Sequence, residues 1–170
     1  LSPDTWDDFA QLIERQGNGS MGAPFCWCTN FHPRDPADVR SSEGRRAYKE
    51  QLVQQGDAHA ALVYDGELAV GWCQYGSPAE LPGIHHRKDY EAGLIELPQY
   101  RLTCIFVDKA YRKKGVAAAA LLGALDLIAA AGGGVVEGRV VNSAGAPQAG
   151  IKVSDEEGSL GFTDHHETTS

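Results

Sequence analysis

Phe106-Val107-Asp108-Lys109-Ala110-Tyr111-Arg112-Lys113-Lys114-Gly115-Val116-Ala117 is the stretch from which the fold is read. It opens in an apolar run, Arg101-Leu102-Thr103-Cys104-Ile105-Phe106-Val107, which has strand composition, and passes into a short basic loop. A helix is expected over 116–131, ended by Gly132-Gly133-Gly134. Its only charged residue is Asp126, so nearly all of its circumference is expected to be buried. Val135-Val136-Glu137-Gly138-Arg139-Val140-Val141 then reads as another strand. Strand, helix and strand in a row make a βαβ-like unit.

The loop-to-helix junction also carries the chemistry. The first turn of an α-helix leaves its backbone N–H groups unpaired and bears the positive end of the macrodipole. Gly115 and the small Ala117 let an anion approach those groups without meeting a side chain. Arg112, Lys113 and Lys114 add a local positive field, although cations at a helix N-terminus oppose the dipole. An anionic ligand removes that conflict, so the junction reads as a phosphate or pyrophosphate cradle. The competing reading is a solvated basic cap. Two nucleotide motifs do not fit: Lys114-Gly115-Val116 reverses the Walker order and lacks the hydroxyl for Mg²⁺. A dinucleotide fingerprint needs three spaced glycines, where only Gly115 is present.

Working outward, Ala60-Ala61-Leu62-Val63-Tyr64 and Leu68-Ala69-Val70-Gly71-Trp72-Cys73 flank Asp65-Gly66, a strong hairpin signal. Gly71 inside the second strand marks a bulge or the close approach of another backbone. Ser2-Pro3-Asp4 is a helix start, and Trp6, Phe9, Leu12 and Ile13 share one helical face before Gly17-Asn18-Gly19. A second helix is expected over Ser42–Gln55, with Ala47, Tyr48 and Leu52 inward and Gly56 as terminator. Phe25-Cys26-Trp27-Cys28-Thr29-Asn30-Phe31-His32-Pro33 is expected to be extended. The long connection over 76–98 holds Pro78, Pro82 and Pro98, with a short helix near residues 90–95. Residues 142–170 are polar, acidic and glycine-rich, and only 151–153, read as a strand, and Leu160-Gly161-Phe162-Thr163 stand out within them.

Composition bounds the rest. The 170 residues are one domain's worth, 42% hydrophobic and 22% charged, which excludes wholesale disorder. Fifteen basic residues against 23 acidic ones give a net charge of −8, which argues against nucleic acid as a partner. The longest apolar stretch, 116–125, is too short to cross a bilayer, so no membrane partner is expected. Leu1-Ser2-Pro3-Asp4 leads into a helix cap rather than a basic, apolar leader. The expectation is a soluble, acidic, cytoplasmic domain. Four cysteines are too few and too irregular for a disulfide framework. Cys26-x-Cys28-x-x-x-His32, with Cys73 or His85-His86, holds soft ligands, but the spacing is tighter than usual zinc spacing and a second pair is missing. No metal is expected; buried thiols beside Trp27 are.

Arg112-Lys113-Lys114-Gly115-Val116-Ala117 resembles the Arg/Gln-x-x-Gly-x-Gly/Ala signature of the GNAT superfamily of acetyl-CoA-dependent N-acetyltransferases. Phe106-Val107-Asp108 and Tyr111 look like that family's fourth strand and its lead-in, the helix over 116–131 like its third helix, and 135–141 like its fifth strand. Cys26-Trp27-Cys28 with Gly71-Trp72-Cys73-Gln74-Tyr75-Gly76 resembles a bacterial subgroup of unassigned acceptor. The resemblance covers roughly residues 1–141 and implies an α/β (α+β) acyl-CoA N-acyltransferase fold, a central mixed, mostly antiparallel sheet flanked by helices. All 170 residues are then one domain, with 142–170 atypical and incomplete unless a partner chain, in a homodimer, completes the sheet.

The implied function is transfer of an acetyl group from acetyl-CoA, as cosubstrate, to a primary amine on a small molecule or protein, by direct attack. The coenzyme would be held by Arg112, Lys113, Lys114, Gly115, Val116, Ala117 and Ala118. The pantetheine arm would run along 104–107, where the fourth and fifth strands splay, and donors at Ile105, Phe106 and Val107 would polarise the thioester carbonyl. Asn142 stands where a helix-leading Asn is found in the family. Trp27, Cys28, Trp72 and Tyr75 are the expected acceptor-binding residues. The family's carboxylate near the fourth strand has two candidates, Glu137 and Glu96. Its acid-supplying Tyr before a Gly-Phe pair has no counterpart, because no Tyr follows Tyr111, although Gly161-Phe162 is present. A non-catalytic acyl-CoA-binding or dimerisation module is therefore the alternative, and a metal-binding regulatory domain on Cys26, Cys28 and His32 a lesser one.

Overall fold

The structure is a computed structural model and describes residues 1–16, 27–33, 41–84, 88, 90, 91 and 97–138. All of the elements below lie in the unit Leu1–Gly138. In chain order they are α1 (Trp6–Gln16), α2 (Ser42–Gln55), β1 (His59–Asp65), β2 (Leu68–Gly76), β3 (Tyr100–Val107), α3 (Val116–Ala130) and β4 (Val136–Gly138). The sheet order is β1-β2-β3-β4; the first two pairings are antiparallel and β3-β4 is parallel. This is the mixed, mostly antiparallel α/β architecture expected. The described residues of the last strand stop at Gly138, and the tail over 142–170 lies outside the described residues, as do Phe25, Cys26, His85, His86, Glu96 and Asn142.

Each sheet face carries its own apolar cluster, because neighbouring strand residues point to opposite sides. Ala60 and Trp72 join Trp6, Phe9, Leu12, Ile13, Trp27, Leu52 and Val53 on one face, under α1 and α2. Ala61 and Cys73 join Tyr75, Ala120, Ala124 and Ile128 on the other, under α3. The first cluster is built on aromatic rings: Trp72 stacks on Phe106 at 4.4 Å between centroids and meets Phe9 edge-on at 5.0 Å.

Three expectations are corrected. Residues 27–33 are turns rather than an extended strand, and Trp27 and Cys28 both lie in the left-handed region (φ 46° and 52°). On α2, Ala47 is exposed and Tyr48 only half-buried, while the residue turned fully inward is Lys49, 0% exposed. Its Nζ finds polar partners inside, which is what lets a lysine replace an apolar residue there. On α3 only the stripe Val116, Ala120, Ala124 and Ile128 is buried, and Leu122 and Leu127 are 46% and 44% exposed. An alanine-rich helix lies flat on the sheet by one i, i+4 stripe, so lack of charge elsewhere does not entail burial. Among the described residues no helix is long and apolar enough to cross a membrane.

Candidate functional site

The site is built where β3 ends and α3 begins. Asp108 fixes the turn: its N–H donates to the Val70 carbonyl at 2.9 Å, its Oδ1 accepts from the Ala110 N–H at 2.9 Å, and its Oδ2 lies 3.4 Å from Arg15. The Tyr111 hydroxyl donates to Asp65 at 2.9 Å, tying the loop to the hairpin turn. The Lys114 ammonium sits over the Tyr111 ring, 4.8 Å from its centroid. Among the described residues Arg112, Lys113 and Lys114 make no ion pair, and all three are exposed.

Gly115 is the N-cap of α3, in the left-handed region at φ 80°, and no side chain caps the helix. The first intrahelical bond runs from the Ala119 N–H to the Gly115 carbonyl. The amides of Val116, Ala117 and Ala118 are therefore the unpaired donors of the first turn. A Cβ placed on Gly115 would meet nothing within 4 Å, so the space beside the N-cap is open. Ala117 and Ala118 are exposed beside it. The basic loop, the glycine and the open helix start are thus together in one place.

Beneath the helix start, Gly71 does what its position in a strand implied. A Cβ there would come 2.7 Å from Val116 Cγ1 and 2.9 Å from the Phe106 carbonyl oxygen. The β1-β2 register also slips between Val63 and Tyr64, opposite this point, so both a bulge and a close approach occur. Only glycine lets α3 begin this near to the sheet.

β3 offers its second edge to this site. The Asp108 N–H points to β2, and the Phe106 carbonyl lies close to Gly71, so alternate residues Ile105 and Val107 turn their backbone groups to the other edge. The parallel pairing with β4 is described at Tyr100↔Val136, Arg101↔Glu137 and Leu102↔Gly138. Among the described residues Ile105 and Val107 have no strand beyond them. The β2-β3 register shifts between Gln74 and Tyr75, leaving Thr103 as the extra residue, and Ile105 is 43% exposed.

The two carboxylates fall differently. Glu137 Oε1 accepts from Arg101 Nε at 2.7 Å and from the Tyr90 hydroxyl at 3.0 Å. Arg101 is itself buried and also donates to the Leu81 carbonyl at 2.9 Å. Glu137 thus ties β4 to Arg101 on β3 and to Tyr90, and Arg101 carries the link on to Leu81. Glu96 and Asn142 lie outside the described residues. Trp27, Cys28 and Trp72 are brought together inside the first cluster, at 4%, 2% and 1% exposure, with the Trp72 indole N–H donating to Cys28 Sγ at 3.0 Å. Tyr75 lies in the cluster on the opposite face. Its hydroxyl is pushed up by burial and by Glu80 and Tyr100.

One polar group went unread in the sequence. Lys49 Nζ lies 2.9 Å from His32 Nε2 and donates to Gln74 Oε1 at 2.9 Å, and Gln74 Nε2 donates to Thr103 Oγ1 at 3.0 Å. This chain runs through the interior to the extra residue of β3. Burial and the neighbouring Lys49 charge hold His32 down at about 3, so its ring is neutral. No sequence pattern marks Lys49 as inward, because its helical spacing with Leu52 and Val53 is what an apolar residue would have shown. Among the described residues no cluster of three or more His, Cys, Asp or Glu could hold a metal ion.

No protein-family model matches the chain, and no curated protein matches it. Among solved structures it is similar to a ribosomal-protein-alanine N-acetyltransferase from Brucella melitensis biovar Abortus 2308, at 18% identity and a TM-score of 0.46, over 91% of this chain and 93% of the other. A likeness at that level carries no inference about activity; what the chain itself presents is a mixed sheet flanked by helices, with an open, uncapped helix start beside a basic loop.

Proposed function

We propose that the chain binds acetyl-CoA through its pyrophosphate at the first turn of α3 and transfers the acetyl group to a primary amine. The observation that carries this reading is the Gly115 N-cap: left-handed, without a capping side chain, with open space beside it, and followed by the three first-turn amides that a helix leaves unpaired. An anion there gains backbone donors and the helix dipole, and it relieves the repulsion between that dipole and Arg112, Lys113 and Lys114. The likeness of residues 112–117 to the GNAT signature supports a coenzyme pyrophosphate as that anion. The backbone groups of Ile105 and Val107 on the outer edge of β3 suit the amides of a pantetheine arm, and donors there would stabilise an oxyanion.

In this reading acetyl-CoA supplies the activated acyl group, and the chain binds and orients it. The amine attacks the thioester carbonyl, its proton leaves to a base or water, and the thiolate takes one up. A non-catalytic acyl-CoA-binding module is the second reading, favoured by the engagement of Glu137 with Arg101 and Tyr90.

Calorimetry with CoA and acetyl-CoA tests the binding. Saturable heat is expected from the native chain and none from Gly115→Trp, whose indole would fill the anion's place while circular dichroism stays unchanged. No heat from the native chain, or equal affinity in the variant, overturns the reading. Thiol release with a panel of amines then separates the enzyme from the binding module.

A further inference from the structure

Cys28 and Cys104 meet sulfur to sulfur at 3.2 Å, although they stand 76 residues apart in sequence. Cys28 sits in the turn 27–33, at φ 52°, and Cys104 sits on β3 next to the extra residue Thr103. We propose that Cys28 and Cys104 are a thiol pair built to close into a reversible disulfide under peroxide, fastening that turn to β3. Their separation is shorter than two sulfurs in ordinary van der Waals contact.

The two thiols are unequal in a useful way. Cys104 is partly exposed, and Cys28 is buried. Cys28 Sγ accepts the Trp72 indole N–H at 3.0 Å inside the first cluster, out of reach of a reagent in solution. Cys104 is therefore the site of attack by peroxide, and Cys28 the resolving thiol. In the first step Cys104 thiol and hydrogen peroxide give the sulfenic acid and water. In the second, Cys28 sulfur attacks the Cys104 sulfur, the S–S bond forms, the S–O bond breaks, and the hydroxyl leaves as water with the thiol proton. Two thiols lose two electrons in total, and peroxide takes them. Cys73 lies on the other sheet face, and burial followed by the nearby Cys104 pushes its thiol up to about 12, so it stays protonated and unreactive.

This chemistry is independent of the proposed coenzyme, and the test reads it without one. The native chain is treated with hydrogen peroxide, alkylated, digested with trypsin and mapped by mass. The expected product joins the peptide over 16–34 to the peptide over 102–109, with loss of two hydrogens, and dithiothreitol reverses it. Cys28→Ser and Cys104→Ser should each abolish it, and Cys73→Ser should leave it unchanged. Cys104→Ser keeps a small polar side chain at a half-buried position, so its fold is checked by circular dichroism. A crosslink that survives Cys28→Ser, meaning Cys26 is the partner, overturns the assignment. So does peroxide treatment that gives only the sulfinic or sulfonic acid of Cys104, or no change at all. Coenzyme titration of the reduced chain is measured separately, so a failed disulfide and a failed coenzyme site are told apart.

Discussion

Gly71 on β2 lies directly under Val116 at the start of α3, and a methyl group on Gly71 would come 2.7 Å from Val116 Cγ1. The second obstacle is backbone, the Phe106 carbonyl oxygen at 2.9 Å. Gly71→Ala must therefore lift the helix start, the strand edge, or both. Overpacking of this kind costs about 1–3 kcal/mol, read by urea denaturation, and the displaced amides should weaken CoA binding in the same variant. Adding Val116→Ala removes one obstacle and not the other, so it should restore stability only in part. Full recovery in the double variant would put all of the strain on the side chain.

Gly115 obeys a different constraint. Nothing lies within 4 Å of where its Cβ would be, so Gly115→Ala clashes with no one. Its φ of 80° is the cost: an L-residue held in the left-handed region loses about 1 kcal/mol. Lys113 already accepts such a conformation at φ 62°. Thermal denaturation should show this modest loss for Gly115→Ala with native circular dichroism, and CoA affinity should fall far less than in Gly115→Trp. If alanine abolished binding as completely as tryptophan, backbone conformation rather than room for the anion would be what the glycine provides.

These two glycines show which parts of the molecule could be read in the sequence. A hairpin at Asp65-Gly66, a close approach at Gly71 and a loop poised at Gly115 each depend on what one residue type alone can do locally, so the letter betrays the geometry. The amphipathic face of α1 was legible for the same reason, since Trp6, Phe9, Leu12 and Ile13 are all buried. Long-range partners were not. Lys49 faces inward because His32 and Gln74 arrive from other elements, and Arg101 is buried because Glu137, Tyr90 and Leu81 receive it. The exposed side of α3 misled in the opposite sense: an alanine tolerates water or core equally, and only the sheet's position decides.

The buried His32 makes a prediction about acid. Its ring is held neutral in the folded chain, down to about 3, first by burial and then by Lys49. Unfolded, it protonates near 6.5. Between those values the unfolded state binds the extra proton, so stability falls as pH drops through that window, by up to about 1.4 kcal/mol per pH unit from this residue. Urea denaturation at pH 7 and at pH 4.5 should show it, and His32→Gln should flatten the difference. In Lys49→Met the repelling charge is gone, burial remains, and the acid loss should shrink without vanishing. An unchanged slope in His32→Gln would assign the loss to carboxylates instead.

His59 has the opposite sign. Its Nδ1 lies 2.8 Å from Glu80 Oε2, and the His59 backbone N–H donates to Glu80 Oε1 at 3.1 Å. The Glu80 hydrogen bond outweighs burial and raises the imidazole above its ordinary value. The folded chain therefore holds a proton that the unfolded chain releases. The stabilisation is complete below about pH 6.5 and disappears as pH rises through the raised folded value. The ring is about half exposed, so the effect is moderated by solvent and salt. Glu80→Gln should destabilise the chain more at pH 6 than at pH 9, measured by thermal denaturation in low salt, and an NMR titration should return His59 towards its ordinary value. A stability loss equal at both pH values would mean that Glu80 acts through the backbone N–H of His59 alone and that the imidazole contributes nothing.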